Sequence, residues 1–250
     1  MMRGGRLAVV LTVALAGATL AGCGQRHQAD EDAPLRAGRE APAAYAGPAD
    51  VPEKLAADGT TIVVGDPHAP LAVHLYEDLR CPVCEEFETT GGAPVLRQAT
   101  IRREASTRYT LASFLDDRMG GSGSKKAVNA LRAALEAGKF AEYHDVLYAN
   151  QPAESVDGFT DAYLLELASQ VKGLRGPAFD SAVKTMKYRT FVTASQKAFD
   201  RSEAEGTPTA VINDVVIPQP YYGLLFDPSL FETFLEQVGK DPDLLKELDF

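Results

Sequence analysis

An α/β domain is expected from three features of the 250-residue sequence. A short apolar run, Leu71-Ala72-Val73-His74-Leu75-Tyr76, leads into Cys81-Pro82-Val83-Cys84 and then into a helix. A second apolar run follows Thr207-Pro208 and ends in a hairpin signal, Asn213-Asp214, before Val215-Val216-Ile217. Between these runs lie several stretches with helical spacing. Alternating strands and helices of this kind build a central sheet with helices on its faces.

The first run is apolar in five of its six positions, as expected for a strand covered on both faces. Beyond the cysteines, Glu85-Glu86-Phe87-Glu88 reads as a first helical turn, with acids at its positive end. The cysteine pair therefore lies on a strand-to-helix turn, with Cys81 at the helix N-terminus. Backbone N–H groups and the helix dipole stabilise a thiolate there. Pro82 suits a first helical position, where its missing N–H costs nothing. Cys84 falls one turn later on the same side, placed to attack a mixed disulfide.

Residues 124–137, 139–149, 159–171, 176–187 and 191–205 read as helices. In the third, Phe159, Tyr163, Leu164 and Leu167 share a face. Gly120-Gly121-Ser122-Gly123 reads as a flexible loop, or a hinge, leading into them. In the later run, Pro208 must start its strand or carry a cis bond, because proline cannot pair inside a sheet. Asn213-Asp214 fits a two-residue hairpin turn.

The ends of the chain bear on compartment. Arg3 and Arg6 precede an uncharged run to Leu20, and no acidic residue comes before Asp30. That is the charged and apolar pattern of a secretory signal, too short for a membrane span. Residues 1–22 are expected to be removed as a signal. Leu20-Ala21-Gly22-Cys23 resembles the bacterial lipobox, which implies lipidation of Cys23 and anchoring at the outer face of the membrane. Residues 23–58, rich in Ala, Pro, Gly and charge, have no apolar period and read as a disordered tether. Residues 59–250 form one domain, with the helical stretches as an insertion at about 122–205. The net charge of −10 argues against nucleic acid as a partner.

Of three cysteines, lipid would consume Cys23, leaving Cys81 and Cys84. A structural zinc site needs four ligands, and His27, His68, His74 and His144 are too scattered to complete one, so no metal is expected. A structural disulfide across so small a loop would restrain little chain. Redox chemistry is what remains for the pair. Glu77 and Asp78, just upstream, each read either as a proton acceptor for Cys84 or as a solvated strand end. His74 reads as a satisfied core histidine, and His144 is given no chemistry. Arg80 reads as solvated, or as a charge favouring the Cys81 thiolate. Tyr221-Tyr222 reads either as packing or as the flank of a peptide groove.

Four blocks carry a family resemblance: Val64-Gly65-Asp66-Pro67, Tyr76 through Cys84, Gly138 through Asp145, and Gly206-Thr207-Pro208-Thr209. They resemble the DsbA-like exported oxidoreductases, in particular their actinobacterial lipoprotein branch, over about residues 60 to 240. The resemblance implies a thioredoxin fold, a central mixed sheet flanked by helices, carrying an inserted helical subdomain. It implies Cys81 as attacking cysteine, Cys84 as resolving cysteine, and Thr207-Pro208 as a cis peptide that meets the substrate. It further implies exported or unfolded protein thiols as substrates, a membrane redox partner of the DsbB or VKOR type, and no cofactor. Val83 is a departure, because DsbA has histidine there; a less stabilised thiolate and a less oxidising disulfide are expected. Two other readings stay open: a redox-inactive peptide-binding or chaperone lipoprotein, and a copper-delivery lipoprotein of related fold. Intact cysteines count against the first, and the short cysteine spacing against the second.

Overall fold

The structure is a computed structural model, and it describes residues 43–247. The expected signal, Cys23 and the tether up to residue 42 lie outside the described residues. Among the described residues six strands form one sheet: β1 (Glu53–Leu55), β2 (Ile62–Gly65), β3 (Leu71–Asp78), β4 (Ala105–Ala112), β5 (Thr209–Ile212) and β6 (Val215–Val216), in the order β1-β2-β4-β3-β5-β6. Only β3 and β4 run parallel. A parallel pair needs a crossover, which α1 (Pro82–Thr89) and α2 (Ala93–Ile101) supply. They follow one another closely because Gly92 lets the chain pass under α10 (Pro228–Lys240). A Cβ on Gly92 would lie 2.4 Å from the Phe231 ring.

β3 is longer than expected, and its burial alternates. Leu71, Val73, Leu75 and Glu77 are buried, while Ala72, His74 and Tyr76 are only partly covered. The sheet is thus fully covered on one face at β3 and half-covered on the other, rather than equally on both. On the less covered side His74 stacks on Tyr76 and hydrogen-bonds Thr110 Oγ1 through Nε2 at 2.9 Å.

Between β4 and β5 lie α3 (Leu115–Met119), α4 (Gly123–Glu136), α5 (Phe140–Ala149), α6 (Asp161–Ala168), α7 (Pro177–Lys184) and α8 (Arg189–Asp200). Polar side chains tie these helices together. Asn129 on α4 donates to Ala182 O and accepts from Tyr188 N. Ser195 on α8 reaches the backbone of Leu111 on β4. Phe159 precedes α6 rather than joining it, because the Thr160 side chain accepts from Tyr163 N and caps the helix there.

Two expectations about loops are corrected. The stretch expected as tether already carries β1, whose backbone pairs with β2. Glu53 also accepts from Phe140 N at 2.6 Å and Ala141 N at 3.3 Å. Backbone pairing and a helix cap need no apolar period, so composition hid them. The Gly120–Gly123 stretch is not a loose loop. The Asp157 carboxylate accepts from Ser122 N and Gly123 N, and a Cβ on Gly121 (φ 100°) would meet it at 2.4 Å.

The β5–β6 hairpin turns through Asn213 and Asp214, both at positive φ (47° and 66°), as a primed two-residue turn requires. Thr209 pairs with Tyr76. That register brings Thr207-Pro208 alongside the end of β3, where the chain turns into Cys81. After β6 come α9 (Tyr222–Phe226), α10 and α11 (Leu244–Glu247). Phe226 of α9 and Phe231 of α10 meet Phe87 of α1 edge to face, at 6.1 and 6.2 Å. Among the described residues, no helix is long and apolar enough to cross a membrane.

Candidate active site

The turn between β3 and α1 is held by side chains rather than left to solvent. Asp78 Oδ1 accepts from Arg80 N at 3.0 Å and Ser124 Oγ at 2.6 Å, and Oδ2 accepts from Leu115 N at 3.1 Å. Arg80 is buried. Its guanidinium pairs with Asp116 at 3.0 Å and donates to Gly120 O and Glu154 O. Gln151 Nε2 donates to both Leu79 O and Cys81 O. Each contact bonds a polar group that burial would otherwise leave costly. Together they fix Cys81 as the N-cap of α1, in extended backbone, with Pro82 as the first helical residue.

Only Pro82 and Val83 separate two opposite environments. The Cys81 thiol lies 3.2 Å from Thr207 O. Its pKa falls from 9.0 to about 6, chiefly through the hydrogen bond with the Cys84 thiol; burial opposes this, while Thr207 and the backbone N–H groups of Cys84 and Val83 assist. The Thr207 hydroxyl has no other partner, so it is free to serve the thiolate. Cys84 is fully enclosed. Burial first, then the hydrogen bond and charge of Cys81 and the charge of Glu77, push its thiol well above 9.0. The Thr207–Pro208 peptide is cis. Beside it opens a groove of about 610 Å³, lined by Glu203, Glu205, Thr207, Pro208 and Tyr222 among others.

Beneath the cysteines lies a second group of side chains. Glu77 on β3, Glu88 on α1 and His144 on α5 are all fully buried. His144 Nε2 is 3.0 Å from Glu77 Oε2, and its Nδ1 is 3.8 Å from Glu88 Oε2. Glu88 Oε2 accepts from Arg97 at 2.8 Å, and Arg97 also pairs with Asp145 at 3.3 Å. Burial lifts Glu77 from 4.5 to about 8, against a hydrogen bond from Glu88 that lowers it. Burial, then the charge of Glu77, drives Glu88 well above its ordinary value. Burial holds His144 low. The three side chains could in principle hold an ion. The two ring nitrogens face different carboxylates, however, one hydrogen-bonding Glu77 at 3.0 Å and the other 3.8 Å from Glu88; an ion would take only one of them.

Over residues 57–225 the sequence matches the thioredoxin family. The chain belongs to that family. The disulfide bond formation protein D of Bacillus subtilis is 24% identical over 160 residues, covering 62% of this chain and 68% of that protein. The fold matches oxidised BdbD from Bacillus subtilis with a TM-score of 0.61 at 19% identity, over 80% of this chain and 100% of that one. It matches reduced DsbA from Mycobacterium tuberculosis with a TM-score of 0.58 at 21% identity, over 79% and 96%. The architecture is therefore the DsbA-like form of the thioredoxin fold, with its helices inserted between β4 and β5.

In this thioredoxin-family frame Cys81, Cys84, Thr207 and Pro208 come together, and Glu77 lies behind them. Asp78 is tied into the turn rather than left facing the cysteines with Glu77. Both its oxygens are occupied by the turn, and burial raises its pKa to about 6 while Ser124 and the Arg80 and Leu115 backbones hold it down. Neither residue is a solvated strand end. Arg80 is neither solvated nor directed at the Cys81 thiolate, because its charge is spent on Asp116. His144, expected to carry no chemistry, sits in the buried acid cluster. Glu88 and Gln151 were missed. Glu88 had a signal: it follows Cys84 by four positions and so lies on the same helical face. Gln151 had none, since its contacts span 70 residues or more. Tyr222 lines the groove.

Proposed function

We propose that this protein is an exported thiol–disulfide oxidoreductase that exchanges its Cys81–Cys84 dithiol or disulfide with protein thiols. The observation that carries this reading is the pairing of an acidified Cys81 thiol with the Thr207–Pro208 peptide, over a resolving Cys84 that burial keeps protonated. In the reducing direction the Cys81 thiolate attacks a substrate disulfide, giving a mixed disulfide and a released substrate thiolate. Glu77 in its ionised form, a minority at neutral pH because burial raises its pKa to about 8, then takes the Cys84 proton as Cys84 attacks Cys81 Sγ. The Cys81–Cys84 bond forms, the second substrate thiolate leaves, and two electrons pass to the substrate. Oxidation is the same sequence reversed. Thr207 and Pro208 line the groove beside Cys81, where an extended substrate would lie.

The substrates on this reading are exported or unfolded protein thiols, and a membrane protein of the DsbB or VKOR type recharges the pair. The lipobox at Cys23 supports anchorage at the outer face of the cell membrane. Two assays test the activity: reduction of insulin, and oxidation of reduced ribonuclease. Turnover is expected in at least one with the native chain and in neither with Cys81→Ser. No turnover in either would favour a redox-inactive peptide binder. For location, Cys23→Ala is expected to release the protein into soluble fractions, and firm membrane retention would exclude the lipid anchor.

A further inference from the structure

Resolution by Cys84 leaves a proton on Glu77, a side chain with no exposed surface. For turnover that proton must reach solvent. The mouth at Cys81 is blocked by substrate while the mixed disulfide stands, so a second way out would be used at the moment it is needed.

The underside offers one. Oε1 of Glu77 and Oε1 of Glu88 are both buried without a donor, and each carboxyl group brings an oxygen to within 4.8 Å of the other and of a His144 ring nitrogen. One proton held between them supplies the missing donor and removes the cost of two adjacent buried anions. From Glu77 Oε2 the imidazole of His144 is 3.0 Å away, and its other nitrogen faces Glu88 Oε2 at 3.8 Å. Glu88 in turn meets Arg97, whose side chain is 29% exposed, and Arg97 meets Asp145, which is 40% exposed. Arg97, Asp145 and Tyr109 line a surface pocket of about 250 Å³ that shares no residue with the groove at Thr207-Pro208. The rest of the enclosure is aromatic. Tyr109, Phe140 and Tyr148 surround the imidazole with ring centroids 4.8 to 5.4 Å away. Such a lining keeps bulk water out and confines proton movement to the polar path.

We propose that Glu88 and His144 carry the proton that Glu77 takes from Cys84 outward to solvent, at the pocket where Arg97 and Asp145 reach the surface. Arg97 stays charged and orients Glu88, and the proton leaves to solvent water at the surface pocket that Arg97 and Asp145 line. In the oxidising direction the same path returns a proton to Glu77, which protonates the departing Cys84 thiolate. No electrons move along it. The groups that face the cluster are Cys81, Cys84 and Glu88 from the α1 segment, Arg97 from α2, Tyr109 from β4, and His144, Asp145 and Tyr148 from α5. Glu88 and His144 are positioning residues, since neither touches substrate.

The inference rests on the thiol-exchange reading, and its test separates the two. Reduced full-length protein is mixed with 5,5′-dithiobis(2-nitrobenzoate), and release of the coloured thiolate is followed. The first phase reports attack by Cys81 and the second reports resolution by Cys84. Glu88→Gln and His144→Gln are expected to slow the second phase about ten-fold near neutral pH, below the roughly 100-fold or more due to a direct proton acceptor. The first phase should hold its rate. The solvent deuterium effect on the second phase should rise in both variants. A native-like variant with an unchanged second phase would overturn the path, as would equal slowing of both phases, which marks a merely structural role. Absence of any first phase in the native protein would sink the thiol-exchange reading itself. Should the variants fail to fold, the native protein still decides. Its reduced-minus-oxidised infrared spectrum must show a change in a buried protonated-carboxyl band, and a flat spectrum there would overturn the proposal.

Discussion

Cys81 and Cys84 share one turn of one helix, yet their surroundings do opposite things to a proton. At the mouth, Cys81 has the free N–H groups of α1, the Cys84 thiol and Thr207 to hold negative charge. On the underside, Cys84 is enclosed with Glu77, Glu88, Tyr109 and Tyr148, where burial penalises every anion. The first environment loses protons and the second keeps them. An exchange enzyme needs both, because a resolving thiolate formed too early would expel the substrate before the nucleophile had engaged it.

The sharpest way to break that contrast is selective alkylation. At pH 6 about half of Cys81 is thiolate, while a thiol above 9.0 is ionised to less than about one part in 1,000. Iodoacetamide at that pH is expected to label Cys81 at least about 500-fold faster than Cys84, as read by peptide mass mapping. Comparable labelling would mean that the two cysteines have been assigned the wrong roles.

A smaller effect should appear in stability. Glu77 has its folded pKa raised to about 8. The folded state therefore holds a proton that the unfolded chain releases above about 4.5, and stability falls as pH rises through that window. Cys81, lowered to about 6, acts in the opposite sense, and the reduced protein gains stability as pH rises from about 6 to 9. Between pH 6.5 and 8, above the ordinary range of His144, the two slopes oppose each other. Glu77→Gln should make the stability of the reduced protein rise more steeply with pH there, and Cys81→Ser should make it fall. Urea unfolding at a series of pH values measures both. Unaltered slopes in the Glu77→Gln protein would mean that Glu77 is already ionised in the fold.

The mouth was readable in the sequence, and the underside was not. Cys81, Pro82 and Cys84 are adjacent, and the helix N-terminus follows from Pro82 and the acids behind it. Thr207-Pro208 announces itself, because a proline ahead of an apolar strand has few other uses. The underside is assembled from β3, α1, α2, β4 and α5, with each contributor hidden in an ordinary pattern. His144 shares the buried face of α5 with Phe140, Tyr143, Leu147 and Tyr148. That spacing marks a core position without saying which polar group awaits it across the interface. Arg80 was misread for the same reason, since Asp116, Gly120 and Glu154 lie 36 to 74 residues away. β1 escaped because three residues of mixed polarity show no period. Short-range chemistry is visible in a sequence; partnerships between buried polar groups depend on packing that only the fold supplies.

The smallest expected effect concerns Val83, and it tests how much of the mouth's behaviour belongs to the helix rather than to the side chain between the cysteines. Val83 is 43% exposed and acts on Cys81 through its backbone N–H alone. With that help the Cys81 thiol sits at about 6, between thioredoxin, at about 7, and DsbA, at about 3.5. Stabilising the thiolate favours the dithiol state and makes the disulfide a stronger oxidant. A histidine at position 83 would add a donor near Cys81 Sγ, cationic at mildly acidic pH. Each pKa unit gained is worth about 1.4 kcal/mol, or roughly 30 mV for a two-electron couple. Val83→His is therefore expected to lower the Cys81 pKa by about one or two units and raise the reduction potential by tens of millivolts. Thiolate absorbance against pH and a glutathione equilibrium measure the two quantities. A shift in the pKa without one in the potential would mean that the underside, through Cys84 and Glu77, sets the redox poise. If neither moved, the helix terminus and Thr207 would already saturate what the mouth can do for the thiolate.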